Sequence, residues 1–217
     1  MRTAQDMIEM MRSYLGTVQG DEKHHHIVDT YNAHKPLARG YSVLYTDPWC
    51  ATTVSAAAIE TGMTDIIPTE CSCTRQINLF RQMGCYDEND DRVPSPGEII
   101  YYNWNAKTSP EDEANHVGVV EACANSKIVV MEGNYGNSHD CRRRTIPVGW
   151  KYIHGFAIPK YDQAVILNRY KVKPGDYLTK IAVELRKLGY DVTWRDLAER
   201  NGIKFPYTIY PGQFLKF

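Results

Sequence analysis

Cys50 heads a stretch whose residue types can make a thiol reactive. Positions 46–62 read TDPWCATTVSAAAIETG. Asp47 is placed to cap free amides, Pro48 suits a first helical position and Gly62 suits the residue past the end. The spacing therefore predicts a helix over 47–61, with Cys50 in its first turn. Unpaired N–H groups and the helix dipole favour negative charge there. A thiol so placed loses its proton readily, and the thiolate is the nucleophile. The rest of the stretch is small and apolar, so it can lie close against a sheet. The alternative for a single cysteine is a buried structural thiol.

A thiolate nucleophile needs a base, and the base needs a group to orient it. His116 opens an apolar run, HVGVVEA at 116–122, after the polar stretch 105–115. A neutral imidazole at such an edge can accept a proton and return it. His34, His139 and His154 lie in expected loops or a late strand without such a partner, and His24-His25-His26 reads as a solvated loop. A second run, KIVVMEGN at 127–134, follows a short turn. A three-residue loop, Cys123 to Asn125, would pair Ala122 with Ser126 and, counting outward, His116 with Glu132 on one face. Glu132 is then the expected orienter. Asn134, on the same face, either does the same or adds a polar contact. A slip of one residue would separate the faces, so this pairing depends on the loop length.

Other elements must hold these groups. Met7, Met10, Met11, Tyr14 and Leu15 recur at helical spacing over 3–15. The polar stretch 16–48 reads as loop. Ile77, Leu79, Phe80 and Met83 predict a helix over 72–83 stopped by Gly84. A Pro/Gly turn at 94–97 leads into a buried strand ending near Trp104, and a further strand is expected over 152–158. Helices first and an antiparallel sheet after them make an α+β layout.

The last fifty residues read differently. Asp176 is placed to cap a helix bearing Leu178, Ile181, Ala182 and Leu185, Thr193 and Asp196 form a near capping box, and Asn201-Gly202 stops a second helix. A Pro-Gly turn and a final strand follow, giving a small βααβ unit. Charge separates the two parts. Residues 166–217 hold ten Lys/Arg and five Asp/Glu, a net of +5, while 1–165 hold fifteen and twenty-one, a net of −6. The division predicted is 1–160, a linker at 161–167, and 168–217. A basic module can favour an anionic surface.

No apolar run approaches the roughly 20 residues of a membrane span, and the charged N-terminal stretch lacks a signal-peptide pattern. The expectation is synthesis in the cytoplasm, with six reduced cysteines. Cys71-Ser72-Cys73 with Cys85 lacks paired CxxC spacing, so no metal site is expected.

Taken together, Asp47-Pro48-Trp49-Cys50-Ala51, Pro94-x-Pro96-Gly97-Glu98-Ile99-Ile100, Asn115-His116-Val117-Gly118-Val119-Val120 and Met131-Glu132-Gly133-Asn134 resemble the CHAP family in order. These are cysteine/histidine-dependent amidohydrolases and peptidases related to NlpC-type and papain-like enzymes. The resemblance implies a papain-like fold, Cys50 as nucleophile, His116 as base, Glu132 as orienter and Asn134 as assistant. It implies peptidoglycan as substrate, cut at a stem-peptide amide or at the muramoyl junction. No cofactor is expected, because the aspartate-rich calcium loop of some members has no counterpart before Cys50. Cys71-Ser72-Cys73 matches none of these motifs.

Residues 168–217 resemble a LysM module through Tyr170-x-Val172, Gly175-Asp176-x-Leu178, Asn201-Gly202-Ile203 and Ile209-Tyr210-Pro211-Gly212-Gln213. Such modules bind chains containing N-acetylglucosamine. The match implies Gly175, Asp176, Tyr177, Ile203, Lys204, Ile209 and Tyr210 as glycan contacts; the other reading is that Gly175, Asp176 and Tyr210 only build the turn and cap, and for Asp176 that reading is favoured. The whole reads as a bacteriolytic cell-wall hydrolase of endolysin type, released by a phage or prophage holin, with no nucleic-acid partner and no membrane insertion. The rival is a wall-binding protein whose first unit is a catalytically dead scaffold.

Overall fold

In the computed structural model the described residues are 2–105, 113–162, 169–187, 190 and 192–217. Most of the expected loop at 105–115 and of the linker at 161–167 lies outside them. The chain divides into two compact units, Met1–Asp162 and Gln163–Phe217.

The first unit begins with α1 (Ala4–Ser13), opened by a capping box between Thr3 and Asp6. The stretch expected as loop holds a helix, α2 (Glu22–Ala33), capped by the Asp21 side chain on the His24 N–H at 2.7 Å. Its three histidines are helical, not a solvated loop. His24 is fully buried, His25 stacks on Tyr45 and His26 Nε2 meets Glu60 at 2.5 Å. The polar faces of these residues masked the helical period in the sequence. α3 (Cys50–Glu60) and α4 (Cys73–Gln82) follow, and Gly62 and Gly84 past their ends take φ of +66° and +63°. That left-handed conformation suits glycine.

Six strands make one antiparallel sheet: β1 (Tyr86–Asp87), β2 (Ile99–Tyr102), β3 (His116–Ala124), β4 (Lys127–Tyr135), β5 (Asp140–Pro147) and β6 (Ile153–Ala157). Their order is β1-β6-β2-β3-β4-β5, and every neighbouring pair is antiparallel. The unit is α+β, as its pattern predicts. Ile99, Tyr101, Val117, Val119 and Met131 pack with the helices, while Ile100, Tyr102, Val120, Ile128 and Val130 form a second cluster with Ile146 and Phe156. Each such side chain withdrawn from water contributes about 1.5–3 kcal/mol.

The hairpin of β3 and β4 differs from the expected three-residue loop. Asn125 and Ser126 form a two-residue turn with φ of 50° and 58°, the positive values that the tightest hairpin turns require. Ala124 pairs with Lys127 and Ala122 with Val129. A bulge at Glu121 then resets the ladder, so that Val120 faces Val130 and Val119 faces Met131. Continued outward, this register sets Gly118, not His116, opposite Glu132. The shorter turn moves the pairing by three residues and the bulge returns one. The net shift is even, so His116 and Glu132 remain on one face as diagonal neighbours.

The second unit has β7 (Arg169–Lys171), α5 (Leu178–Lys187), α6 (Trp194–Arg200) and β8 (Phe214–Lys216), with β7 and β8 antiparallel. Val172, Leu178, Ile181, Leu185, Leu197 and Leu215 form its core. The expected capping box at Thr193 and Asp196 is present. Asp176 differs. Its carboxylate accepts from the Lys173 N–H at 2.9 Å, Tyr170 OH at 2.8 Å and Lys180 Nζ at 2.9 Å. It ties the turn to the side of α5 instead of capping the helix end.

Candidate active site

α3 places Cys50 as its first residue. Trp49 is the N-cap and supplies no side-chain bond. Asp47 does not cap the helix; it accepts from the Leu44 N–H at 2.8 Å and Tyr41 OH at 2.7 Å, closing a tight turn before it. A short carboxylate can serve the turn or the helix, and here the turn holds it. Among the described residues no side chain caps the start of α3, and the neighbouring Ala51 N–H favours a thiolate at Cys50.

Two contacts fix α3 in place. Residues 50–58 are all buried, packed between α2 and strands β3 and β4. A Cβ at Gly133 would lie 2.2 Å from Thr53 Oγ1, so only glycine lets the helix approach β4 this closely. Behind the N-cap, the His24 ring meets Trp49 edge-on at 4.8 Å. His24 Nδ1 accepts from the Gly20 N–H at 3.0 Å, and burial lowers its pKa, so it is held neutral. Sequence reasoning missed this support because α2 itself was hidden.

His116, first residue of β3, is 4% exposed and its ring interacts with the Cys50 thiol. Its Nε2 lies 3.8 Å from Glu132 Oε2, an ion-pair contact longer than a hydrogen bond. Buried as it is, that Nε2 has no hydrogen-bond partner among the described residues. Glu132 is fully buried and is gripped from the other side by Arg144 on β5, at 2.5 Å from Nε and 2.9 Å from Nη2. The Arg144 guanidinium in turn sits 4.2 Å from the Tyr135 ring centroid and 5.4–5.7 Å from those of Tyr102, Trp104 and Trp150. Arg144 is a site residue that the sequence reading lacked. Its signal is the alternation in β5, where Arg144 shares its face with the buried Ile146 two residues on.

The electrostatics follow from these neighbours. The adjacent Cys73 thiol, at 3.8 Å, and then the imidazole hold Cys50 well below the ordinary thiol range against the opposing effect of burial. Burial disfavours charge on His116, but Cys50 and Glu132 outweigh it and raise its pKa to about 9. Burial likewise pushes Glu132 up, and Arg144 and His116 bring it below its usual value. The arrangement favours a thiolate–imidazolium pair with an ionised carboxylate behind it.

Asn134 is near but differently engaged. The backbone turns there, with φ of 55°, and its Oδ1 meets His139 Nδ1 at 2.9 Å. The break in the β4–β5 ladder after Glu132 takes Asn134 out of the simple alternation used to place it. It lines, with His116, Trp104, Tyr135 and Gly136, a pocket of about 210 Å³.

In the second unit, Ile203 and Lys204 line a surface pocket of about 400 Å³ with Trp194, Arg195, Phe205 and Tyr207 among its walls. Gly175, Asp176, Tyr177, Ile209 and Tyr210 are not in that lining. Tyr177 and Tyr210 are 61% and 68% exposed, whereas Ile209 packs against the core.

Known proteins add to this geometry. The family model for the CHAP domain matches residues 40–134, and that for the LysM domain matches 170–217. No curated protein matches the chain. Among solved structures, "The crystal structure of Ly7917" is similar at 14% identity and a TM-score of 0.41, over 72% of this chain. The same protein "with the hydrolyzing product of MDP" is similar at 14% identity and a TM-score of 0.42, again over 72%. This chain spans 62% and 63% of those two chains.

Proposed function

The chain carries a CHAP domain followed by a LysM domain, and from that premise we propose that it is a peptidoglycan hydrolase anchored to the cell wall by its C-terminal module. The bond cut is an amide, within the stem peptide or at the muramoyl junction. The setting is bacteriolysis by an endolysin-type enzyme. The observation that carries the reading is the meeting of Cys50, the His116 ring and the Arg144-held carboxylate of Glu132.

In this mechanism the Cys50 thiolate attacks the amide carbonyl carbon. The uncapped amides at the start of α3 stabilise the developing oxyanion. His116, as imidazolium, gives its proton to the leaving amine, and a thioester remains. His116 then takes a proton from water, which hydrolyses the thioester and restores the thiolate. Glu132 supports the imidazolium charge and fixes the ring. Asn134 contributes to the substrate-facing pocket, not to the ring. The LysM unit keeps the enzyme on glycan and raises its local concentration. The expected contacts Gly175, Tyr177, Ile203, Lys204, Ile209 and Tyr210 stay part of this proposal, with Asp176 holding the turn.

The test uses the full chain on purified walls. Parent protein clears the suspension, and Cys50→Ala binds walls without clearing them. Equal clearing by that variant overturns the thiol mechanism. Absence of clearing by the parent, with no fast alkylation of Cys50, favours the dead-scaffold rival. Mass spectrometry of the released fragments identifies the amide.

A further inference from the structure

Cys73 heads α4 as Cys50 heads α3, and their sulfurs lie 3.8 Å apart. Both are free thiols and nearly sealed, at 7% and 6% exposure. Hydrolysis requires a single nucleophile, so the second thiol forms no bond in the mechanism above and serves there only as a neighbour that favours the Cys50 thiolate. We propose that Cys50 and Cys73 form an oxidative modification site, in which a hydroperoxide oxidises Cys50 and Cys73 captures the product as a disulfide.

The chemistry balances. The Cys50 thiolate attacks one peroxide oxygen, the O–O bond breaks and hydroxide leaves, giving a sulfenic acid. The Cys73 thiol attacks that sulfur, the S–O bond breaks, and the hydroxyl departs as water with the Cys73 proton. Two thiols and one hydrogen peroxide yield one disulfide and two waters; sulfur is oxidised and peroxide oxygen reduced. A thiolate is the form that begins this sequence. The sulfurs need to close from 3.8 Å to the bonded length of about 2.05 Å.

Position selects this pair. Cys71 lies two residues before Cys73, but its sulfur is engaged by Arg39 Nη2 at 3.2 Å and by the Glu70 carboxylate at 3.6 Å. Among the described residues, Cys73 is the cysteine in contact with Cys50. The disulfide stops lysis because it occupies the nucleophile. It also protects Cys50 from the irreversible sulfinic acid, and a dithiol restores it.

The proposal rests on Cys50 being the reactive thiol, which Cys50→Ala in the lysis assay tests separately. Here the full chain is titrated with hydrogen peroxide, alkylated under denaturing conditions, digested without reduction and mapped by mass spectrometry. The expected product is one cross-linked pair of peptides containing Cys50 and Cys73, lighter than the separate peptides by two hydrogen atoms. Wall clearing falls in step with it and returns with dithiothreitol. In Cys73→Ala, peroxide drives Cys50 to sulfinic acid and dithiothreitol restores none of the clearing lost. Sulfinic acid at Cys50 of the parent without the cross-link, or full recovery in Cys73→Ala, overturns the proposal. If that variant does not fold, the parent's peptide map decides alone.

Discussion

Glu132 lies directly over Gly118: a Cβ on Gly118 would stand 2.7 Å from the Glu132 Cγ and 2.6 Å from the Val130 Cγ1. The carboxylate reaches His116 because the residue beneath it has no side chain. Gly118→Ala therefore displaces Glu132 or opens the β3–β4 ladder. The expected outcome is a wall-clearing rate lower by about a hundredfold, the scale of a 1 Å misplacement at a reacting centre. Stability falls by about 1–3 kcal/mol, as for other overpacked sites. Clearing rate and a urea transition on the same sample check it. Unchanged clearing would show that Glu132 placement is not needed.

Arg144 keeps a buried carboxylate ionised. In Arg144→Met the bidentate partner is gone and burial pushes the Glu132 carboxyl up. The acid limb of the clearing profile then moves to higher pH. Because Glu132 is held low in the folded chain, its stabilising contribution is present above the ordinary carboxylate range and fades as pH falls. The variant is thus less stable by about 3 kcal/mol at neutral pH, typical of a broken buried pair, and the gap narrows on acidification. Arg144→Lys keeps charge but not the fork and falls between. Parallel pH profiles would exclude this role.

The thiolate–imidazolium pair sets the working pH. Clearing declines as pH rises through about 9, where His116 loses its proton. On the acid side, Cys50 is held well below an ordinary thiol, so iodoacetamide labelling stays fast at pH 6. In His116→Ala that labelling slows at pH 6 and recovers as pH rises. Stopped-flow labelling of the parent that tracks a free thiol, near pH 8.5, would contradict the pair.

In the second unit, Asp176 and Tyr177 part company. Asp176 joins three donors of its own module; Tyr177 is exposed. In a Cys50→Ala background, Asp176→Ala lowers the thermal transition of this unit and wall binding together. Tyr177→Ala weakens binding and leaves the transition unmoved. Asp176 has a pKa lowered to about 2 by the Lys173 amide and Lys180, so its contribution is complete above about pH 4 and disappears as pH falls through about 2. Co-sedimentation with walls and calorimetry separate the two. A Tyr177 variant that binds like the parent would remove it from the glycan surface.

Much of the architecture was legible because punctuation and period agreed. Gly62 and Gly84 end α3 and α4 where expected, and Thr193 opens α6. What escaped were positions where a residue serves a partner distant in sequence. Asp47 holds a turn with Tyr41 and Leu44 instead of the helix, and Asp176 holds Lys173. Arg144 reads as one surface charge in a run of three, and only the β4–β5 ladder brings it to Glu132. The proposed nucleophile, Cys50, and its proposed base, His116, were picked out by local chemistry. The buried His24 under Trp49 was not, since helix α2 carries too few apolar residues to announce itself.

The β3–β4 hairpin sets His116 and Glu132 on one face through a two-residue turn and a surplus residue at Glu121. Deleting Glu121 alone would remove the bulge and leave Val120 facing Val130, so His116 would keep its face. The face of His116 is set by the Val120–Val130 pairing beyond the bulge, so a change of length at the hairpin tip is absorbed there while that pairing holds.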